Sequence, residues 1–248
     1  MNTTVSDTTN DTSQLEFRYH FTFENGDQRE FHIRLDGATL RLLNVSPSPP
    51  PAWTALEFSK CVNCPLQRES HCPIAVNLSS VIKEFEATQS YTNAKVMVET
   101  TERNYAKDTT VQRALSSIIG IIMVTSGCPI MDRLRPNVAF HLPFASPLET
   151  SYRSVAMYLT AQAIRKLRGE EPDWDMNGLV EIYEQVSKVN KGMARRIKQA
   201  MATDAGANAI VILHAFGDSV TILVETRLKE LEGFFSTLLD GGKGNSGA

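Results

Sequence analysis

The sequence predicts an α+β protein: a predominantly helical body of about six helices with a small β-hairpin or sheet at its N-terminal end. Three observations carry this. Residues 15–35 alternate apolar and polar with a period of two, long stretches after residue 73 repeat their apolar residues every three or four positions, and a proline run separates the two regimes. With 248 residues and 42% hydrophobic content, the chain is long enough to bury a sizeable core.

Leu15, Phe17, Tyr19, Phe21 and Phe23 form the first alternating stretch, and Phe31, Ile33 and Leu35 the second. A two-residue Asn25-Gly26 turn would place the two apolar rows on opposite faces of the ribbon. A three-residue loop, Glu24-Asn25-Gly26, with Gly26 in the left-handed conformation instead pairs Phe21 with Arg29, Tyr19 with Phe31 and Phe17 with Ile33. An isolated hairpin is marginal in water, so its apolar face needs further strands or helices beside it. Trp53 to Phe58 and Ala94 to Thr101 are the candidate strands. Residues 1–14 and 241–248 read as polar or glycine-rich disordered tails, 15–45 as the hairpin element, 46–52 as a proline-rich linker and 53–240 as a cysteine-containing helical domain.

In the helical part, Ile74, Leu78, Val81, Ile82 and Phe85 share one face. Asp108 is the expected N-cap of a buried helix running to about Ser126, and Ser146-Pro147-Leu148-Glu149 is a capping box opening a helix that stops at Gly169. Leu179, Ile182, Tyr183, Val186, Val189, Met193, Ile197 and Ala200 mark another amphipathic helix, capped near Asp175. Two further helices are expected at about 204–216 and 219–239.

The functional signal is a set of cysteines. Cys61, Cys64 and Cys72 read C-x2-C-x7-C, and Cys128 follows far downstream. The polar N-terminus offers no secretory signal, so a reducing cytoplasm is expected, with thiols or metal ligands rather than disulfides. Four is the number a closed thiolate shell requires, and zinc or a [4Fe–4S] cluster is its usual occupant. Cys72-Pro73-Ile74 matches Cys128-Pro129-Ile130, and Cys64-Pro65-Leu66 is a shorter copy. Proline suits the first position of a helix, so each step is expected to set its cysteine at an N-cap, where free N–H groups favour a thiolate. Zinc leads slightly, as a structural, interaction or regulatory module with a protein as its possible partner; a cluster would imply electron transfer or redox sensing. His71 reads as a bystander. Buried unreactive cysteines are the plain alternative. A redox-active C-x2-C is the other, but it expects a βαβ setting that the pattern lacks.

A second candidate site is a metal-free enzyme pocket built from His141, Glu149, Tyr152 and Arg153, the last three on the opening turns of the capped helix. The plainer reading has Glu149 closing its cap and pairing with Arg153, while His141 bonds a loop carbonyl. His214 near Asp218 reads as a core histidine. Lys188, Lys191, Arg195, Arg196 and Lys198 read as a solvated helix face, because 25 Lys and Arg against 28 Asp and Glu remove the electrostatic basis for broad nucleic-acid or anionic-membrane binding. The most apolar run, Ala114 to Val124, is far shorter than the roughly 20 residues of a membrane span. No P-loop, Rossmann glycine pattern, HExxH or EF-hand is present.

Taken together, Cys61-x-x-Cys64-Pro65-Leu66, Cys72-Pro73, Gly127-Cys128-Pro129 and His141-Leu142-Pro143-Phe144, after a hairpin of the form Phe-Thr-Phe-Glu-Asn-Gly, resemble a bacterial family of uncharacterised domains of unknown function. The resemblance spans nearly the whole chain. It implies a bacterial, cytoplasmic setting and brings no activity, ligand or partner.

Overall fold

The computed structural model describes residues 14–44, 48–200, 208–211, 229 and 231–239. Both tails and most of the two helices expected beyond Ala200 lie outside the described residues, as do His214 and Asp218. Residues 208–211 and Ser236–Leu239 are helical.

Strands β1 (Gln14–Phe23) and β2 (Gln28–Asp36) form the expected hairpin in the expected register: Phe21 faces Arg29, Tyr19 faces Phe31 and Phe17 faces Ile33. Gly26 takes a φ of +87°, which only glycine adopts freely, and its N–H donates to the Phe23 carbonyl to close the loop. The hairpin is extended by β3 (Asn93–Glu99) and β4 (Asn104–Thr110) into an antiparallel sheet of order β2-β1-β3-β4. β3 is therefore the strand foreseen at Ala94 to Thr101. Trp53 to Phe58 is not a strand: Ala52–Thr54 is a 3-10 turn, and the backbone folds back so that Ala55 bridges His71.

One face of the sheet is apolar. Phe17, Tyr19, Phe21, Ile33, Leu35, Val96 and Val98 are buried on it, and Phe85 stacks its ring near those of Phe21 and Phe31. Helix α1 (Pro73–Glu84) and helix α2 (Val111–Thr125) are buried in the same core. α2 touches α1, β3, β4 and a 3-10 segment, Met131–Val138, onto which α3 (Pro147–Leu167) and α4 (Asn177–Ala200) also pack. That 3-10 segment is thus the junction between the sheet side and the C-terminal helices.

Helix boundaries follow local chemistry. Ser146 Oγ accepts from the Glu149 amide while Glu149 returns a bond to the Ser146 amide, completing the capping box, and Gly169 at φ +78° ends the chain's turn out of α3. α2 does not start from Asp108, which lies in β4; Thr110 occupies its N-cap without a side-chain bond. α4 is capped by Asp173 rather than near Asp175, because the Asp173 carboxylate accepts from the Gly178 amide at 2.7 Å and the Asn177 amide at 3.3 Å. Among the described residues no helix is long and apolar enough to cross a membrane.

Candidate functional site

All four cysteines are free, with Cys72 and Cys128 buried and Cys61 and Cys64 partly so. They occupy one neighbourhood. Cys61 feels the charges of Cys64, Cys72 and Cys128, and Cys128 feels those of Cys64 and Cys72. Burial, followed by these mutual interactions, pushes the Cys61 thiol up to about 12, and burial likewise raises Cys128. As the side chains stand, no group of three or more His, Cys, Asp or Glu among the described residues is disposed to hold a metal ion.

Each cysteine is positioned differently. Cys72 is the N-cap of α1, with Pro73 at the first helical position, and its amide donates to the Thr54 carbonyl at 2.8 Å. The expectation that every Cys-Pro step opens a helix in this way holds here alone. Cys128-Pro129 leads into the 3-10 segment, whose N-cap is Ile130, although the Ile130 and Met131 amides still point at the Cys128 sulfur and favour its thiolate. Cys64-Pro65 opens no helix: Leu66 to Ser70 supply only one apolar residue, too few for a buried face. His71 bonds Thr54 Oγ1 at 2.7 Å through Nδ1.

The Cys61–Cys64 loop is clamped by α4. The Cys61 thiol lies 3.9 Å from the Val189 carbonyl, and Asn63 Nδ2 donates to Gln185 O and Oε1 at 2.9 Å each. A Cβ added to Gly192 would stand 2.5 Å from Cys61 Sγ, so glycine is what lets the helix approach this closely. Arg195 donates to Ser59 Oγ and to the Lys60 carbonyl.

Arg196 corrects the sequence reading. It is not on a solvated basic face but 1% exposed, donating to the carbonyls of Trp53, Ala55 and Leu56 at 2.8, 2.6 and 2.9 Å. Its guanidinium also feels Cys72, Cys61 and Cys64, so a buried cation faces three of the thiols. The signal was present in the spacing, since residue 196 falls seven positions after Val189 on the apolar stripe.

The second candidate set assembles in part. His141, Glu149 and Arg153 line one cavity of about 670 Å³, whereas Tyr152 is 47% exposed and faces Phe235. Arg153 does not pair with Glu149 as expected; its Nη2 donates to the Asn137 carbonyl at 2.8 Å. His141 bonds no loop carbonyl through its ring. Its Nε2 lies 3.0 Å from both Tyr19 Oη and Ser117 Oγ, which are 2.8 Å apart. Burial, then the nearby Arg153 charge, lowers His141 to about 3, and burial keeps Tyr19 protonated by raising its pKa. The imidazole is therefore neutral and a weak base. Tyr19 and Ser117 come from β1 and α2, and nothing local in the sequence links them to residue 141.

The fold and the site define an α+β protein with four free cysteines in one partly buried group, three of them facing Arg196, and a separate polar-and-apolar cavity. Residues 17–236 match the model of a family described as a domain of unknown function, DUF6901. The chain belongs to this family, in keeping with the resemblance seen in its motifs. Comparison with curated proteins and with solved structures finds no match in either.

Proposed function

We propose that the protein binds a metal through Cys61, Cys64, Cys72 and Cys128 and uses it to tie the 53–72 segment to the start of α1 and the turn after α2. The observation that carries this is the gathering, in one buried neighbourhood, of four cysteines from three separate parts of the chain. The donor set suits zinc, whose closed four-thiolate shell leaves no position for substrate, and the role is then structural, within an interaction or regulatory module. Four thiolates packed together repel one another. Arg196 and the amides directed at Cys128 offset part of that charge, and the ion offsets the remainder. Binding requires the thiols to rotate inward onto the ion and a reducing, cytoplasmic setting to keep them free. A [4Fe–4S] cluster is the second reading. The amide groups aimed at the Cys128 sulfur favour it, because such hydrogen bonds tune clusters.

Elemental analysis and a visible spectrum of protein purified without air and without a metal-affinity column test both. Zinc near one equivalent in a colourless sample supports the first reading; iron with acid-labile sulfide in a brown one supports the second. Cys64→Ser and Cys128→Ser are each expected to lose the metal and much of the thermal stability. Neither metal in the parent protein, with serine variants as stable as the parent, overturns the proposal.

A further inference from the structure

We infer that the cavity lined by β4, α2, the Met131–Val138 segment and the start of α3 binds a small organic anion, holding its acidic head on Arg153 and its apolar body against the apolar part of the lining. This inference is independent of the cysteine centre. The cavity, at about 670 Å³, has the size of a small-molecule site. Its cationic side is Lys107 and Arg113, exposed at the rim, with Arg153 deeper inside.

Among the described residues none of the three closes an ion pair, although the Glu149 charge reaches Lys107 and Arg153. Arg153 makes one bond, to the neutral Asn137 carbonyl, and its buried Nε has no partner. Arg113 has no side-chain hydrogen bond or ion pair among the described residues. The one carboxylate on the lining, Glu149, is held by the Ser146 amide at 2.7 Å, a bond that also keeps its pKa low. A partly buried guanidinium with an orphan N–H is costly without a counter-charge, and its planar fork matches a carboxylate or phosphate. The same lining includes Ile121, Val124, Leu134, Val138, Leu142 and Phe144, an apolar surface beside the cations. The chemical class that satisfies both sides is an amphipathic anion, a carboxylate or a phosphate monoester on an apolar chain or ring.

Two features narrow the site to binding in this cavity. A second cavity, of about 750 Å³, shares Lys107 and Arg113 and adds Lys95, but it also holds Glu24 and Asp108 and lacks Arg153, so its charges nearly cancel while those of the first leave a cationic excess. Ser117, although 3.0 Å from His141 Nε2, has too weak a base beside it to become a nucleophile.

Isothermal titration calorimetry of the full chain with octanoate, octyl phosphate and 1-octanol tests the inference. At least one anion is expected to bind with one-to-one stoichiometry and about tenfold or more tighter than octanol, the alcohol lacking the charge-assisted bonds. Octanoate the tighter identifies a carboxylate site, and octyl phosphate the tighter a phosphate site. Arg153→Gln is expected to weaken the anion by at least about tenfold, and Arg113→Gln by severalfold, with octanol unaffected. Arg113 is on the exposed rim and its replacement leaves the fold intact, so the test survives if Arg153→Gln fails to fold. Neither anion binding, anion and alcohol binding alike, or Arg113→Gln leaving anion affinity unchanged would each overturn the inference.

Discussion

Gly192→Ala is expected to destabilise the protein, against the usual sign for a glycine in a helix interior. Ala is ordinarily favoured there by about 1 kcal/mol. At this position the new Cβ would lie 2.5 Å from Cys61 Sγ and 3.2 Å from both the α-carbon and the Cβ of Cys61, where relaxed carbon–carbon separations sit at about 3.5–4.0 Å. Rotating the sulfur away relieves the first clash only, because the α-carbon belongs to the backbone and no side-chain rotation moves it. The loop must retreat from α4, straining the Asn63–Gln185 bonds as it moves. Overpacking costs about 1–3 kcal/mol, and the need to move backbone puts this case at about 2–3, so set against the helical gain it leaves a net loss of about 1–2 kcal/mol. For a chain of this length that lowers Tm by about 2–8 °C. The assay is a thermal melt paired with mass-spectrometric timing of Cys61 alkylation, which should quicken as the loop loosens. Gly233→Ala is the control, since a Cβ there meets nothing within 4 Å. A Gly192→Ala protein that melts at or above the parent temperature, with Cys61 as protected as before, would refute the reasoning.

Three other outcomes follow from the same geometry. Arg196→Met should cost about 3–5 kcal/mol in urea unfolding, because three backbone carbonyls lose their donor at once; a loss below about 1 kcal/mol would mean that water replaces the guanidinium. Asp173→Ala removes the cap of α4 and the partner of the Tyr158 hydroxyl, and should cost about 1 kcal/mol by the same measurement. The parent protein should also weaken as pH falls. His141 is neutral in the fold down to about pH 3 but takes a proton near 6.5 when unfolded, so stability is full above 6.5 and declines between 6.5 and 3. The loss should reach about 2–3 kcal/mol by pH 4.5, and His141→Gln should flatten the curve over that range. Asp173 and Glu149, held below their ordinary values chiefly by the Gly178 and Ser146 amides, add a further loss only at lower pH, as it falls through their lowered values.

The parts of this fold legible in the sequence are those where one short-range pattern has one physical solution. Matching the apolar rows of residues 15–23 and 31–35 leaves a single register, and it requires a left-handed residue where Gly26 stands. The Ser146–Glu149 cap is similarly self-contained. β4 is hidden in the sequence because it is an edge strand: Asn104–Thr110 has only Tyr105 and Ala106 as apolar residues, side by side, so it carries no alternation, and its last residues read as the start of α2. Spacing places the α4 cap near Asp175 but cannot tell which of two nearby carboxylates turns back to the helix, and it is Asp173 that does. The cysteines can be picked out by count and spacing, and the apolar stripe of α4 marks Arg196 as inward-facing, but nothing local joins it to partners 140 to 143 residues upstream. The His141 cavity shows the same limit. Its loop and helix residues lie close in sequence, while Tyr19 arrives from 122 residues away.

The long reach of Arg196 also sets an order of events during synthesis. Its carbonyl partners precede it by 140 to 143 residues, and at ribosomal rates of about 5–20 residues per second that separation lasts about 7–30 s. Throughout that interval the sheet's first hairpin can close, α1 and α2 can collapse onto it and Thr54–Leu56 can bond Ser70–Cys72, but the Cys61–Cys64 loop lacks the α4 contacts that clamp it. Its thiols therefore meet the cell's contents in a nascent chain before α4 exists to cover them. Any factor that reaches Cys61 has its best access to it on the ribosome rather than in the finished molecule.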